Sequence, residues 1–341
     1  MESSSPSPTK TSGFASHLVG FGIMAIFALT AGWLILNREY VVDQLTVWQY
    51  QPSTEVQSIA SRASLTDQGR FYFYASQPEV DEASTFNDQC KKQEEQSAIL
   101  GCYAVRRIYI YDVTNEQLDG IKEVTAAHEM LHAAWDRLSD SEKERLTPLL
   151  EAAYTKVATD ELEERMAYYD RTQPGERTNE LHSIIGTEFG GLSKELEQYY
   201  SQYFSNRAQI VAFHQKYQQV FNDLDARIKA LQAELDQLDA TVKQRLAAYD
   251  TQRAQVEQMN SSLNAQASSL DRTNASAVNA YNAQVREFNA AVSALRADYA
   301  AVNQLVAAYN QKVVEYNSVA FSRSSLQKSI DSSQAPVAPA I

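Results

Sequence analysis

Residues 121–138 read IKEVTAAHEMLHAAWDRL, and His128, Glu129 and His132 within them carry the most specific chemistry in the chain. Residues four apart lie on one face of an α-helix, so the two imidazoles can offer nitrogens to a single metal ion. Glu129 then stands beside that ion without binding it. In the spacing His-Glu-x-x-His, zinc acidifies a water molecule and the glutamate accepts its proton. Val124, His128, Leu131 and Trp135 recur at helical spacing, while Ala126, Ala127, Ala133 and Ala134 favour helix and allow close packing. The pattern predicts a buried helix. The competing explanation is a core helix on which two histidines happen to share a face.

A hydrolytic zinc centre needs a third protein ligand and an open position. The chain continues Ala133-Ala134-Trp135-Asp136-Arg137-Leu138, without the Gly and the third His of the metzincin pattern HExxHxxGxxH, which excludes that subclass. Downstream, residues 178–183 read TNELHS. Together with the motif helix they resemble the gluzincins, the thermolysin-like and aminopeptidase-like zinc peptidases, whose third ligand is a Glu in an Asn-Glu-x-x-Ser/Ala setting on a second helix. The resemblance covers two short motifs. It implies Zn2+ as cofactor, His128, His132 and Glu180 as its ligands, Glu129 as general base and peptide-bond hydrolysis as the reaction. The thermolysin-like pattern also places an Asp four residues after the ligand Glu, where it supports a ligand histidine, and this chain has Ile184 there. His182 and Glu188 are the rival third ligands. A Tyr upstream of the Glu ligand stabilises the oxyanion in thermolysin-like enzymes, so the resemblance makes Tyr168 and Tyr169 candidates. In a chain with 19 tyrosines, packing is the competing explanation for both.

Around the motif, Arg70-Phe71-Tyr72-Phe73-Tyr74 and Arg107-Ile108-Tyr109-Ile110-Tyr111 are aromatic and β-branched runs that predict strands. By the resemblance, a strand beside the motif helix would pair with extended substrate backbone; a plain core sheet is the alternative. Pro148 and Pro174-Gly175 punctuate the region after the motif, predicting helices over 119–138, 140–170 and 177–189. The only two cysteines, Cys90 and Cys102, are spaced to close a short disulfide loop in an oxidising compartment, with two buried thiols as the alternative.

Residues 1–13 are rich in Ser, Pro and Thr and predict a disordered tail. Residues 18–36 run for 19 positions without a charge, which at 1.5 Å per residue just crosses the hydrocarbon layer. A transmembrane helix over 14–37 is expected, bounded by Trp33 and Arg38-Glu39. A signal peptide is the rival reading, but no Ala-x-Ala-like cleavage site ends the run. A weak charge bias and the cysteine pair place the N-terminus in the cytoplasm and the bulk of the chain outside.

Between Gly191 and Pro336 there is neither Gly nor Pro. Phe221, Leu224, Ile228, Leu231, Leu235, Leu238 and Val242 alternate by threes and fours, as do the residues from Val278 through Tyr281, Val285, Phe288, Val292 and Leu295 to Tyr316. These are coiled-coil seams. Residues 268–276, SSLDRTNAS, interrupt them with turn and capping types, predicting an antiparallel hairpin; a parallel dimeric rod with a stutter is the alternative. Residues 37–205 hold 30 acidic against 16 basic side chains, a balance of −14, whereas residues 206–330 hold 11 against 13, a balance of +2. An acidic domain repels nucleic acid, which excludes it as a partner.

The expected architecture is mainly α: a disordered tail (1–13), a transmembrane helix (14–37), a small α+β zincin-like domain (38–205), a coiled-coil hairpin (206–330) and a loose tail (331–341). The expected function is that of a membrane-anchored zinc metallopeptidase acting on peptide or protein substrates outside the cytoplasm. The alternative is a tether whose coiled coil binds a protein partner or itself and whose metal site is structural.

Overall fold

The computed structural model describes residues 13–90 and 99–334, with side chains from Ile23 onward. The predicted tail over 1–13, apart from Gly13, lies outside the described residues, and so do residues 335–341. The chain divides into two compact units, one of residues 1–217 with 330–341, the other of residues 218–329. The boundary therefore falls inside a helix, later than the predicted break at 205.

The first unit begins with α1 (Gly13–Leu36) and α2 (Arg38–Gln49). From Ile23 onward, where side chains are described, no single helix is long and apolar enough to cross a membrane; Ile23–Leu36 and Arg38–Gln49 reach that length only as a pair bent by 81°. α1 covers the crossing expected over 14–37 up to Leu36, and α2 follows it after Asn37. Next come α3 (Thr54–Arg62) and α4 (Asp67–Ala75). The latter corrects the strand predicted over 70–74. Thr66 caps α4 by accepting from the Gly69 amide, and Phe73 is wholly buried, so capping and packing override the β propensity of the aromatic run.

The sheet has three short strands, interrupted by α5 (Ala83–Gln89): β1 (Glu79–Asp81), β2 (Gly101–Ala104) and β3 (Arg107–Tyr111). Their order is β1-β3-β2, with β1 parallel and β2 antiparallel to the central β3. The sequence identified β3 and missed its two partners. Cys90, at the end of α5, is disulfide-bonded to Cys102 on β2.

The motif helix α6 (Ile121–Asp136) is the centre of the core. It starts at Gly120, whose φ of +103° favours glycine and where a Cβ would run into the Phe213 ring. Met130, Leu131, Ala133 and Ala134 are entirely enclosed. Around it pack α7 (Asp140–Val157), α8 (Asp160–Thr172), α9 (Arg177–Glu188) and α10 (Lys194–Tyr200). The helix predicted over 140–170 is two: Pro148 sits inside α7 without ending it, and the break comes at Thr159, whose hydroxyl accepts from the Leu162 amide. Gly186 lets α9 approach α6 closely, because a Cβ there would lie 2.5 Å from Leu131 Cδ1.

The second unit lies within α11 (Arg207–Ser269) and α12 (Ala275–Ile330). Arg323 pairs with Asp225, Lys312 with Glu234, and the Tyr249 and Tyr299 rings stand 5.9 Å apart. Partners approach one another in sequence towards the turn, which makes this an antiparallel intramolecular hairpin. The loose tail predicted from 331 is corrected at its start: Asp331 and Ser332 are buried, and Ser332 donates to Asn87 Oδ1 at 2.6 Å while its carbonyl accepts from Asn87 Nδ2.

Candidate metal centre

α6 and α9 bring His128, His132 and Glu180 together, their potential ligand atoms all within 4.8 Å of one another. The two histidine Nε2 atoms are 3.1 Å apart, and Glu180 Oε2 lies 3.9 Å from His128 Nε2 and 3.7 Å from His132 Nε2. Tetrahedral coordination with bonds near 2.0–2.1 Å would separate ligand atoms by about 3.3 Å, so a small inward adjustment suffices to hold one ion. Glu180 Oε2 is buried and has no hydrogen-bond partner. A cation between the three side chains would satisfy it, since buried acceptors are otherwise almost always paired. The donor set of two imidazoles and one carboxylate suits a divalent transition-metal ion, zinc among them.

The imidazoles are prepared for this. His132 Nδ1 faces Asn179 Oδ1 at 2.9 Å, and the Asn179 amide is oriented in turn by donating to Glu176 Oε2 at 2.9 Å. With Asn179 accepting from Nδ1–H, Nε2 is left to face the centre. Asn179 thus makes the contact to His132 that the sequence, with Ile184 at the expected Asp position, left unassigned. It stands in the TNELHS motif, one residue before Glu180, where the sequence alone assigned it no role. Burial and then His132 hold His128 well below its ordinary value, keeping it a neutral donor. Burial also works against a charged His132, but the Glu180 and Glu129 carboxylates and the Asn179 bond outweigh it and raise that imidazole. Burial, followed by nearby Glu176, raises Glu180, against the pull of His132 and Arg165.

Glu129 is pushed up to about 7, chiefly by burial, with Glu180 adding to the effect and His132 and the Tyr103 amide opposing it. It is pressed against β2: a Cβ on Gly101 would come within 2.9 Å of Glu129 Cγ and Oε1. Only glycine lets the edge strand run this close. The centre opens into a cleft of about 760 Å³ that β2, α6, α8 and α9 help to line. Tyr168 and Tyr169 both line it, their rings 5.5 Å apart, and burial raises the Tyr169 phenol so that it stays protonated.

The rival ligands go elsewhere. His182 points into the core, its Nε2 2.8 Å from the Tyr199 hydroxyl and its ring 5.1 Å from that of Trp135; burial lowers it to about 3. The 200° between adjacent-but-one helix positions explains why it faces away when Glu180 faces α6. Glu188 lines the cleft, but both its oxygens are taken by Arg165, at 2.6 and 2.9 Å, and His214 lies 3.4 Å away. Compared with protein-family models, curated proteins and solved structures, the chain matches none.

Proposed function

We propose that the chain is a membrane-anchored zinc metallopeptidase that hydrolyses peptide bonds in the cleft between β2 and α6. The observation that carries this reading is the convergence of His128, His132 and the unpartnered Glu180 Oε2 beside a buried Glu129. A zinc ion held by the three would supply a Lewis acid for the scissile carbonyl and lower the pKa of water to about 7. Glu129, beside the two histidines, accepts the proton at its carboxylate and returns it to the leaving amine. Tyr169, protonated in the cleft wall, donates towards the oxygen on which negative charge grows. Among the described residues β2 is one edge of the sheet, with β3 on its other side, and offers backbone groups to an extended peptide. Asn179 keeps His132 turned towards the centre.

The membrane reading is supported by α1. It has 24 residues, about 36 Å at 1.5 Å each, against a hydrocarbon layer of about 30 Å. In its described part Phe27, Leu29, Ile35 and Leu36 are each more than two-thirds exposed, which water would penalise and lipid would not. The disulfide supports an extracytoplasmic site.

The test is metal analysis together with turnover of a generic protein substrate by the purified full chain. Wild type is expected to bind one zinc per chain and to cleave. Glu129→Gln should keep the zinc and lose cleavage, and Glu180→Ala should lose zinc as severely as His132→Ala, while His182→Ala and Glu188→Ala retain it. Full cleavage by Glu129→Gln overturns the reading. Stoichiometric zinc with no cleavage by wild type favours the structural tether.

A further inference from the structure

The helix between the apolar segment and the site-bearing core has an unusual surface. At about 100° per residue, Val41, Val42, Leu45 and Trp48 fall within an arc of about 120° on α2. Val42, Leu45 and Trp48 are exposed by 51%, 48% and 77%. Arg38 and Gln49 share the arc, and no acidic residue does. Asp43 points the opposite way and is buried, bound by Arg137 through Nε at 2.7 Å and Nη2 at 2.9 Å and by Arg106 at 3.1 Å. The apolar face is therefore held outward by ion pairs on its reverse side. α1, which precedes it across Asn37, also exposes large apolar side chains, among them Leu29, Ile35 and Leu36, and the helices meet at 81°.

We propose that α2 lies in the headgroup layer of a lipid bilayer, with Val42, Leu45 and Trp48 turned to the hydrocarbon and Arg38 reaching a phosphate. The proposal rests on the reading of α1 as a membrane anchor. If α1 runs along the bilayer normal, a bend of 81° lays α2 nearly in the membrane plane. Trp at the boundary, aliphatic side chains below it and a cation beside the phosphates form the usual chemistry of an interfacial helix. Water as the sole neighbour would leave the apolar side chains of both helices uncovered. Because Arg137 follows the last residue of α6 and grips Asp43, such a helix also fixes the distance of the metal centre from the lipid.

The test uses the full chain in phosphatidylcholine–phosphatidylglycerol vesicles, with Leu45→Cys carrying a polarity-sensitive fluorophore. Cys90 and Cys102 are bonded to each other and take no label. Lipids bearing a nitroxide either just below the headgroup or near the acyl end report depth. Leu29→Cys serves as the anchor position and Glu195→Cys, exposed on α10, as the aqueous control. Position 45 is expected to shift to the blue and to lose severalfold more fluorescence to the shallow nitroxide than to the deep one; position 29 should respond to the deep one. An aqueous response at 45 with a deep response at 29 overturns this inference alone, whereas aqueous responses at both also remove the anchor. Stronger quenching at 45 by the deep nitroxide, or a blue shift insensitive to any lipid quencher, overturns it in favour of a buried span or a protein partner. Trp48→Cys reads the same face if the first variant does not fold.

Discussion

Replacing Asn179 by Ala removes the acceptor that turns His132, and the expected outcome is a 10–100-fold loss of zinc affinity of the kind that outer partners of metal ligands confer. Competition with a chromophoric chelator measures it, and an unchanged melting temperature would show that the loss is local. Gly101→Val acts on the neighbouring function. The added side chain strikes Glu129 and Thr125, so zinc should remain bound while hydrolysis falls, as a lowered kcat at full metal occupancy. His128, Glu129 and His132 were readable in the sequence because their helix imposes a fixed angular relation. Glu180 was readable only through its neighbours in a short motif. The supporting role of Asn179 was not, since it depends on how α9 is rotated against α6, which long-range packing decides.

The pairing of α2 with the end of α6 rests on an ion pair with almost no exposure. Asp43→Ala leaves the buried Arg137 guanidinium without a carboxylate partner and is expected to cost about 3 kcal/mol, read from denaturant unfolding. The β2–β3 turn offers the opposite change. Val105 is 96% exposed at a φ of +51°, a left-handed conformation that a β-branched residue resists, so Val105→Gly should stabilise the protein by about 1 kcal/mol. Between α10 and α11, Arg207 holds the Glu197 carboxyl below its ordinary 4.5 through a paired hydrogen bond. The folded state binds the proton less readily than the unfolded chain, so this contribution is complete above 4.5 and disappears as pH falls through the lowered value. Melting temperature followed downward from neutral pH should fall less steeply in Glu197→Gln than in wild type. The turn and capping residues over 268–276 pointed to the hairpin, and periodicity made the motif helix and the two long helices legible. It could not separate α7 from α8, whose boundary is a single capping hydroxyl, nor recognise α4, where tertiary contacts overrule an aromatic run.

The whole molecule is one unit with another inserted into it. The chain leaves the site-bearing unit after Tyr217 and re-enters it at Ile330. Deleting residues 218–329 and joining the ends with a flexible linker should therefore leave zinc binding intact, since every ligand and every residue lining the cleft belongs to the first unit. Zinc content of the purified deletion protein checks this, and truncation after Ile330 should be the more damaging change. The contact of Ser332 with Asn87 has a consequence in time. A ribosome adding roughly 5–20 residues per second needs on the order of 6–20 s to make the inserted stretch. During that interval α5 and the cysteine that joins it to β2 have long emerged, but the residues that close over Asn87 do not yet exist. Completion of the site-bearing unit is thus scheduled by translation of its insert, and the nascent chain passes through a stage in which the helices of the metal centre are present and their C-terminal fastening is still to be made.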